Sequence, residues 1–203
     1  MANTYSTLPM EPSLISGGFS IYRREIEGVL VIEPRVFSDE RGYFFESYRE
    51  SALRAAGVEA SFVQDNQSMS RAGALRGLHF QRSRPQGKLI RVLRGAIFDV
   101  VADIRRGSAT FGRWVGQRLD AESRQQLYMP PGLLHGYLAL ADDTEIAYKC
   151  TDYYVADDEG GVHWQDPSLD IAWPLDEVSD VVVSAKDAAL PSFAAVFGEE
   201  GGA

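Results

Sequence analysis

The chain has 203 residues, 45% of them hydrophobic, which is enough for one substantial core, and an all-β unit of this length commonly stays a single domain. Its formal net charge of −9 argues against general affinity for nucleic acid, because neutralising phosphates needs a broad basic surface. Cys150 is the only cysteine, so no intrachain disulfide can form; with no basic-then-apolar leader and no apolar run near the ~18 residues of a membrane span, the expected setting is cytoplasmic, with no membrane partner.

Residues 1–25 are rich in Ser, Pro and Gly and read as an N-terminal arm or added edge segment, 26–192 as the main domain, and 193–203 as a flexible C-terminal tail. Between the ends, short apolar or alternating runs recur at 29–32, 43–48, 89–93, 96–101, 127–129, 136–140 and 145–149, separated by turn residues. That spacing predicts a β-sandwich or barrel. Helix is expected only at 50–57, which ends on Gly57, and over a turn or two at 184–190. Neither is long enough to cover a sheet, so two β layers must cover each other, and closure by two Greek keys makes a jelly roll.

Strand parity adds constraints, because side chains alternate faces. Tyr148, Cys150, Asp152 and Tyr154 share a face if their strand continues regularly. Arg76 and His79 fall on opposite faces of an unbroken strand, and Gly77 between them is the natural place for a bulge that re-aims one of the pair.

From Asn66 to Phe98 there is no acidic residue, while Arg71, Arg76, Arg82, Arg84, Lys88, Arg91 and Arg94 all occur there. A small anionic ligand would suit this stretch, with Arg82 and Arg84 read as solvated loop charges. Of the three histidines, His79 and His135 lie between glycines in strand-like apolar segments, and His163 lies in a Gly-rich stretch that reads as a turn. Position 77 is Gly and position 81 is Gln, so no His-x-His pair surrounds His79, and His79 with His135 alone would make a poor metal shell. Histidines aimed from a β scaffold without metal partners suggest proton transfer.

The ordered blocks Asp39-Glu40-Arg41-Gly42-Tyr43-Phe44-Phe45-Glu46, Val63-Gln64-Asp65-Asn66, 75–81, Gln86-Gly87-Lys88, 131–136, 148–154 and Ser184-Ala185-Lys186-Asp187 resemble the successive motifs of the dTDP-4-dehydrorhamnose 3,5-epimerase family, from about Gly28 to Leu190. The resemblance implies a cupin jelly roll, a homodimer, no metal or other cofactor, and a dTDP-sugar substrate on the route to dTDP-L-rhamnose for cell-surface polysaccharide. It also implies Asp187 as the partner of His79, Tyr154 as the ring that stacks on thymine, and Arg41, Glu46, Gln64, Asn66, Arg76, Lys88, His135, Glu159 and Lys186 as ligand-binding positions. The chain departs from the family pattern in a longer N-terminal arm, a slightly shorter loop from His79 to Lys88, and Gln165 in place of Asn before Asp166-Pro167.

Inverting a carbon next to a ketone requires removing a proton from one face, holding the enolate, and returning a proton to the other face. The chain offers His79 as base, Lys88 or His135 for the enolate oxygen, and Tyr148 as acid. A phenol with an ordinary pKa near 10 would be assisted by neighbouring cations that lower it. Asp99, in an apolar run, is read either as the orienter of His135 or as a structural carboxylate. The rival readings are a 3- or 5-monoepimerase with the same machinery, a non-catalytic nucleotide-sugar-binding cupin, and a metal-dependent cupin oxygenase.

Overall fold

The computed structural model describes residues 11–198. Two antiparallel sheets face each other. The seven-stranded sheet runs β1 (Leu14–Ser16), β2 (Phe19–Arg23), β3 (Leu30–Pro34), β11 (Gln126–Met129), β8 (Lys88–Arg94), β13 (Thr144–Cys150) and β6 (Gln64–Ser70). The six-stranded sheet runs β10 (Trp114–Asp120), β9 (Ala96–Asp103), β12 (Leu133–Ala139), β7 (Ala74–Gln81) and β14 (Glu159–Gly161), with β15 (Val182–Val183) added in parallel on β7. Neighbours far apart in sequence, such as β3 with β11, give the crossed connections of a jelly roll. A separate exposed hairpin pairs β4 (Phe37–Asp39) with β5 (Gly42–Phe44).

Alternation along the strands sorts the side chains into layers. On β9, Ile97 and Val101 face inward while Phe98, Val100 and Ala102 face outward. The layer between the sheets gathers Ile90, Val92, Ile97, Val101, Leu127, Leu133 and Ile146, all buried. Each such side chain contributes roughly 1.5–3 kcal/mol when fully withdrawn from water.

The sheets do cover each other, but their outer faces are covered as well. Helix α1 (Glu50–Ala55), though short, buries Ala52 and Leu53 with Phe19, Ile21, Leu30 and Leu89 on the outside of the seven-stranded sheet. The strand expected over 43–48 is shorter, because β5 stops at Phe44 and the chain then enters α1.

Both chain ends contribute to the fold. Residues 11–25 are built into the fold, since β1 and β2 form the edge of the larger sheet; residues 1–10 of the expected arm lie outside the described residues. Residues 193–198 are no loose tail. Helix α3 (Phe193–Phe197) buries Phe193 beside Trp114, Phe98 and Trp173 on the outside of the six-stranded sheet, and the Phe193 N–H donates to Asp166 Oδ2 at 2.8 Å. Residues 199–203 lie outside the described residues.

Candidate active site

One end of the sandwich is hollow between the sheets, and two cavities meet there. The first, about 260 Å³, is lined by Gln64, Asn66, Glu159, Tyr154 and Cys150. The second, about 510 Å³, is lined by Arg76, His135, Tyr137, Ser184 and Asp187. His79, Lys88 and Tyr148 line both. His79 stands on β7 of one sheet; Lys88 and Tyr148 stand on β8 and β13 of the other.

A bulge aims His79 as the sequence suggested. Opposite β12, Tyr137 pairs with Arg76 and His135 pairs with His79, so Gly77 and Leu78 together face Gly136 alone. Both Leu75 and Leu78 join the outer layer, and Arg76 and His79 both reach the cavity. Gly77 has φ of +110°, and a Cβ there would lie 2.6 Å from the His135 carbonyl oxygen, so only glycine fits.

His79 Nε2 lies 2.8 Å from Asp187 Oδ1, and the other carboxylate oxygen accepts the Gly77 N–H at 3.1 Å. Asp187 is presented by α2 (Ala185–Ala188), whose preceding residue, Ser184, caps it by accepting the Asp187 N–H at 3.0 Å. Strand β15 holds this segment against β7. A second carboxylate approaches the other ring nitrogen, with Glu159 Oε1 at 3.7 Å from His79 Nδ1. Glu159 Oε2 accepts from Tyr154 Oη at 3.1 Å and from the Lys186 ammonium. Burial pushes the Glu159 carboxyl up, but the bonds from Lys186 and Tyr154 and the charge of His79 outweigh it and hold the group below its ordinary value.

Asp99 does meet His135: both its oxygens lie within 3.2 Å of Nε2, and the carboxylate is fully buried. Lys88 has its ammonium 5.9 Å from the Tyr148 ring centroid, and burial lowers its pKa. Among the described residues it has no hydrogen-bonded or ion-paired partner. Tyr148 corrects an expectation: burial pushes its phenol above the ordinary value, and the opposing charge of Arg76 is too weak to reverse this.

Tyr154 joins Tyr148 at the first cavity, but not through strand parity. Strand β13 ends at Cys150, and Asp152 leaves the cavity to pair with Arg84. The following loop is tied down instead, with Gln81 exchanging two 2.8 Å bonds with the Val155 backbone and Gln86 Nε2 donating to the Asp152 carbonyl. The Tyr154 N–H donates to Gln64 Oε1 at 2.9 Å, Gln64 Nε2 to Asn66 Oδ1 at 3.0 Å, and Asn66 Nδ2 to Cys150 Sγ at 3.6 Å. Of the basic stretch, Arg76 and Lys88 reach the cavities, whereas Arg71, Arg84 and Arg94 pair with Asp180, Asp152 and Asp143.

Two expected ligand positions are not brought here. Arg41 is on the exposed hairpin, 87% exposed and bonded to Asp39, and Glu46 pairs with Arg49. Residues the sequence reading passed over are Tyr137, Ser68 and Ser184. The last carried a signal, since Ser-x-x-Asp is a helix-start pattern. Among the described residues, no group of three or more His, Cys, Asp and Glu side chains gathers as a metal's donors would.

The family model described as dTDP-4-dehydrorhamnose 3,5-epimerase matches residues 23–195. The dTDP-4-dehydrorhamnose 3,5-epimerase of Methanothermobacter thermautotrophicus is 49% identical over 169 residues, covering 83% of this chain and 91% of that protein. The dTDP-6-deoxy-D-glucose-3,5-epimerase RmlC of Legionella pneumophila, solved with dTDP-4-keto-L-rhamnose, is similar in structure with a TM-score of 0.83 and 45% identity, over 86% of this chain and 92% of that one. ChmJ, a 3′-monoepimerase of Streptomyces bikiniensis solved with dTDP-quinovose, gives a TM-score of 0.77 at 36% identity, over 90% of this chain and 87% of that one.

Proposed function

The chain belongs to the dTDP-4-dehydrorhamnose 3,5-epimerase family, with its cupin jelly roll, and from that premise we propose how the cavity performs the reaction. The enzyme is an isomerase acting on a dTDP-linked 4-keto sugar, converting dTDP-4-dehydro-6-deoxy-D-glucose to dTDP-4-dehydro-L-rhamnose. His79 removes the proton beside the C4 ketone, and the C–H electron pair moves onto the carbonyl oxygen to give an enolate. Asp187 holds the ring and stabilises the imidazolium that forms. Lys88 stabilises the enolate oxygen, with His135 beside it. Tyr148 then forms the new C–H bond from the opposite side, and its phenolate and the imidazolium return to their starting states by exchange with water. The sequence of steps, carried out at C3 and at C5, uses only these side chains. The observation that carries the reading is that His79, paired with Asp187, and Tyr148 stand on facing sheets and both line the two cavities.

Tyr154, Gln64 and Asn66 take the nucleotide, with Tyr154 stacking on the base, while Arg76, Glu159 and Lys186 take the diphosphate and sugar. Arg41 and Glu46 keep a ligand role only if they serve a second copy of the chain, which accords with a homodimer and with exposed Phe37, Tyr43 and Phe44 on the same hairpin. Residues 26–192 form the catalytic unit in this reading, and 1–25 an edge extension. In this reading the enzyme works in the cytoplasm, the setting that a single cysteine fits.

Turnover in deuterated water tests the scheme. Deuterium is expected at both C3 and C5 of the product. Tyr148→Phe should still exchange the substrate's protons through His79 while losing inversion, and His79→Ala should lose both, by about 10²–10⁴-fold. Label at one carbon only would favour a monoepimerase. Exchange at the wild-type rate in His79→Ala would overturn the assignment of the base.

A further inference from the structure

The cavity wall contains a buried hydroxyl chain that the scheme above leaves unused. Tyr137, on β12 of the six-stranded sheet, is 5% exposed and sits in a layer of Ile, Val and Leu side chains, where a phenylalanine would fill nearly the same space. A hydroxyl in such a place is costly unless it is bonded. This one reaches across the sandwich to β6, with Tyr137 Oη 3.2 Å from Ser70 Oγ and 3.3 Å from Ser68 Oγ. Ser70 Oγ in turn lies 3.2 Å from Arg76 Nε, and Arg76 Nη2 donates to the Met69 carbonyl at 3.2 Å.

The link from Arg76 has a fixed direction. A guanidinium can only donate, so Ser70 accepts from Arg76. The three hydroxyls share two contacts, and in each of them either oxygen can donate, so Tyr137 links Ser68 and Ser70 whichever way the hydrogens point. Arg76 is held against β6 through Nε and Nη2, which leaves Nη1 without a partner among the described residues, and Arg76 lines the larger cavity. Arg76 and Tyr137 also face each other in register immediately beyond the bulge that sets His79, so the same local distortion places the guanidinium and the phenol that steadies it.

We propose that Tyr137 and Ser70 are positioning residues for Arg76. They fix the guanidinium in one rotamer before the ligand arrives, with its open edge set to donate to an anionic or carbonyl oxygen of the nucleotide-sugar. A long side chain normally loses its rotamer freedom when it binds; here that loss has already been incurred in the folded chain, so removing the hydroxyls weakens binding without altering proton transfer. The inference rests on the assignment of Arg76 to ligand binding.

Steady-state kinetics of the full-length enzyme with dTDP-4-dehydro-6-deoxy-D-glucose test it, using Tyr137→Phe, Ser70→Ala, Arg76→Ala and the double variant Arg76→Ala/Tyr137→Phe. Tyr137→Phe and Ser70→Ala should each raise KM about three- to tenfold, with kcat and the pH profile at wild type. In the Arg76→Ala background, Tyr137→Phe should add nothing, because the group it positions is gone. An unchanged KM in both single variants overturns the proposal, as does an equal rise in the double variant over Arg76→Ala, or a fall in kcat that tracks a lowered Tm. Should Tyr137→Phe fail to fold, Ser70→Ala reads the same link. A wild-type KM in Arg76→Ala has a separate meaning, since it removes the ligand role of Arg76 and leaves the proton-transfer scheme standing.

Discussion

Lys88 and Tyr148 are moved in opposite directions by the same cause. Burial between the sheets disfavours the charged form of each, lowering the lysine and raising the tyrosine. Cys150, Asp99 and Glu159 partly restore Lys88, and Arg76 partly restores Tyr148, without reversing either shift. Tyr148 therefore keeps its proton across the neutral range, as the acid of the proposed scheme must. In the proposed scheme Lys88 serves the enolate only while protonated, and that form disappears as pH rises through its lowered pKa. The alkaline fall in kcat/KM should accordingly begin below the ordinary lysine value of about 10.4, and Lys88→Arg, which stays charged, should move that limb upward. An unmoved limb in a pH–rate profile would assign it to another group. That His79, Lys88 and Tyr148 meet at one cavity was legible from residue type and the chemistry of enolates, and the contact of His79 with Asp187 through family resemblance. The direction of the Tyr148 shift was not, because it depends on the water lost around the phenol, and that is a property of packing.

The element that decides the site is β7 with its bulge. Parity along 76–79 exposed a conflict in the sequence, and Gly77 marked where it could be resolved; the register with β12 resolves it there. Gly77→Ala would place a methyl 2.6 Å from the His135 carbonyl oxygen and 2.8 Å from Gly136 Cα, both rigid backbone, at a φ that L-residues avoid. We expect a loss of about 3 kcal/mol or more, read from urea unfolding, together with a large fall in kcat/KM as His79 is displaced. A wild-type unfolding midpoint would refute the steric account. Strand β6 was less legible. Its sequence, Gln64 to Ser70, is polar except for Met69, because it is an edge strand whose inward side chains meet a polar cavity. The run from 148 to 154 failed for another reason: parity applies only within a strand, and side-chain bonds from Gln81 and Gln86 pull the chain out of the sheet after Cys150.

On the scale of the whole molecule, the sandwich is wrapped on both outer faces, and the C-terminal segment does much of the wrapping. Phe193 packs 5.5 Å from Phe111 and 5.1 Å from Phe197, centroid to centroid, and Phe197 lies 5.3 Å from Phe80, the neighbour of His79. Phe193→Ala should cost about 3 kcal/mol, measured as a lowered urea midpoint. An unchanged midpoint would show that α3 adds nothing to stability. Two β layers closing on each other were legible from strand spacing and from scarce helix. The cover was not, because 193–198 is too short to show helical periodicity and its anchor, the Asp166 carboxylate, is remote in sequence. Since the proposed base and acid are rooted in different sheets, the gap between them, in which the sugar must fit, is set by the packing of the two sheets. In the proposed scheme, a substitution that squeezes or parts the two leaves, even one remote from the substrate, should therefore change the rate without altering any reacting group.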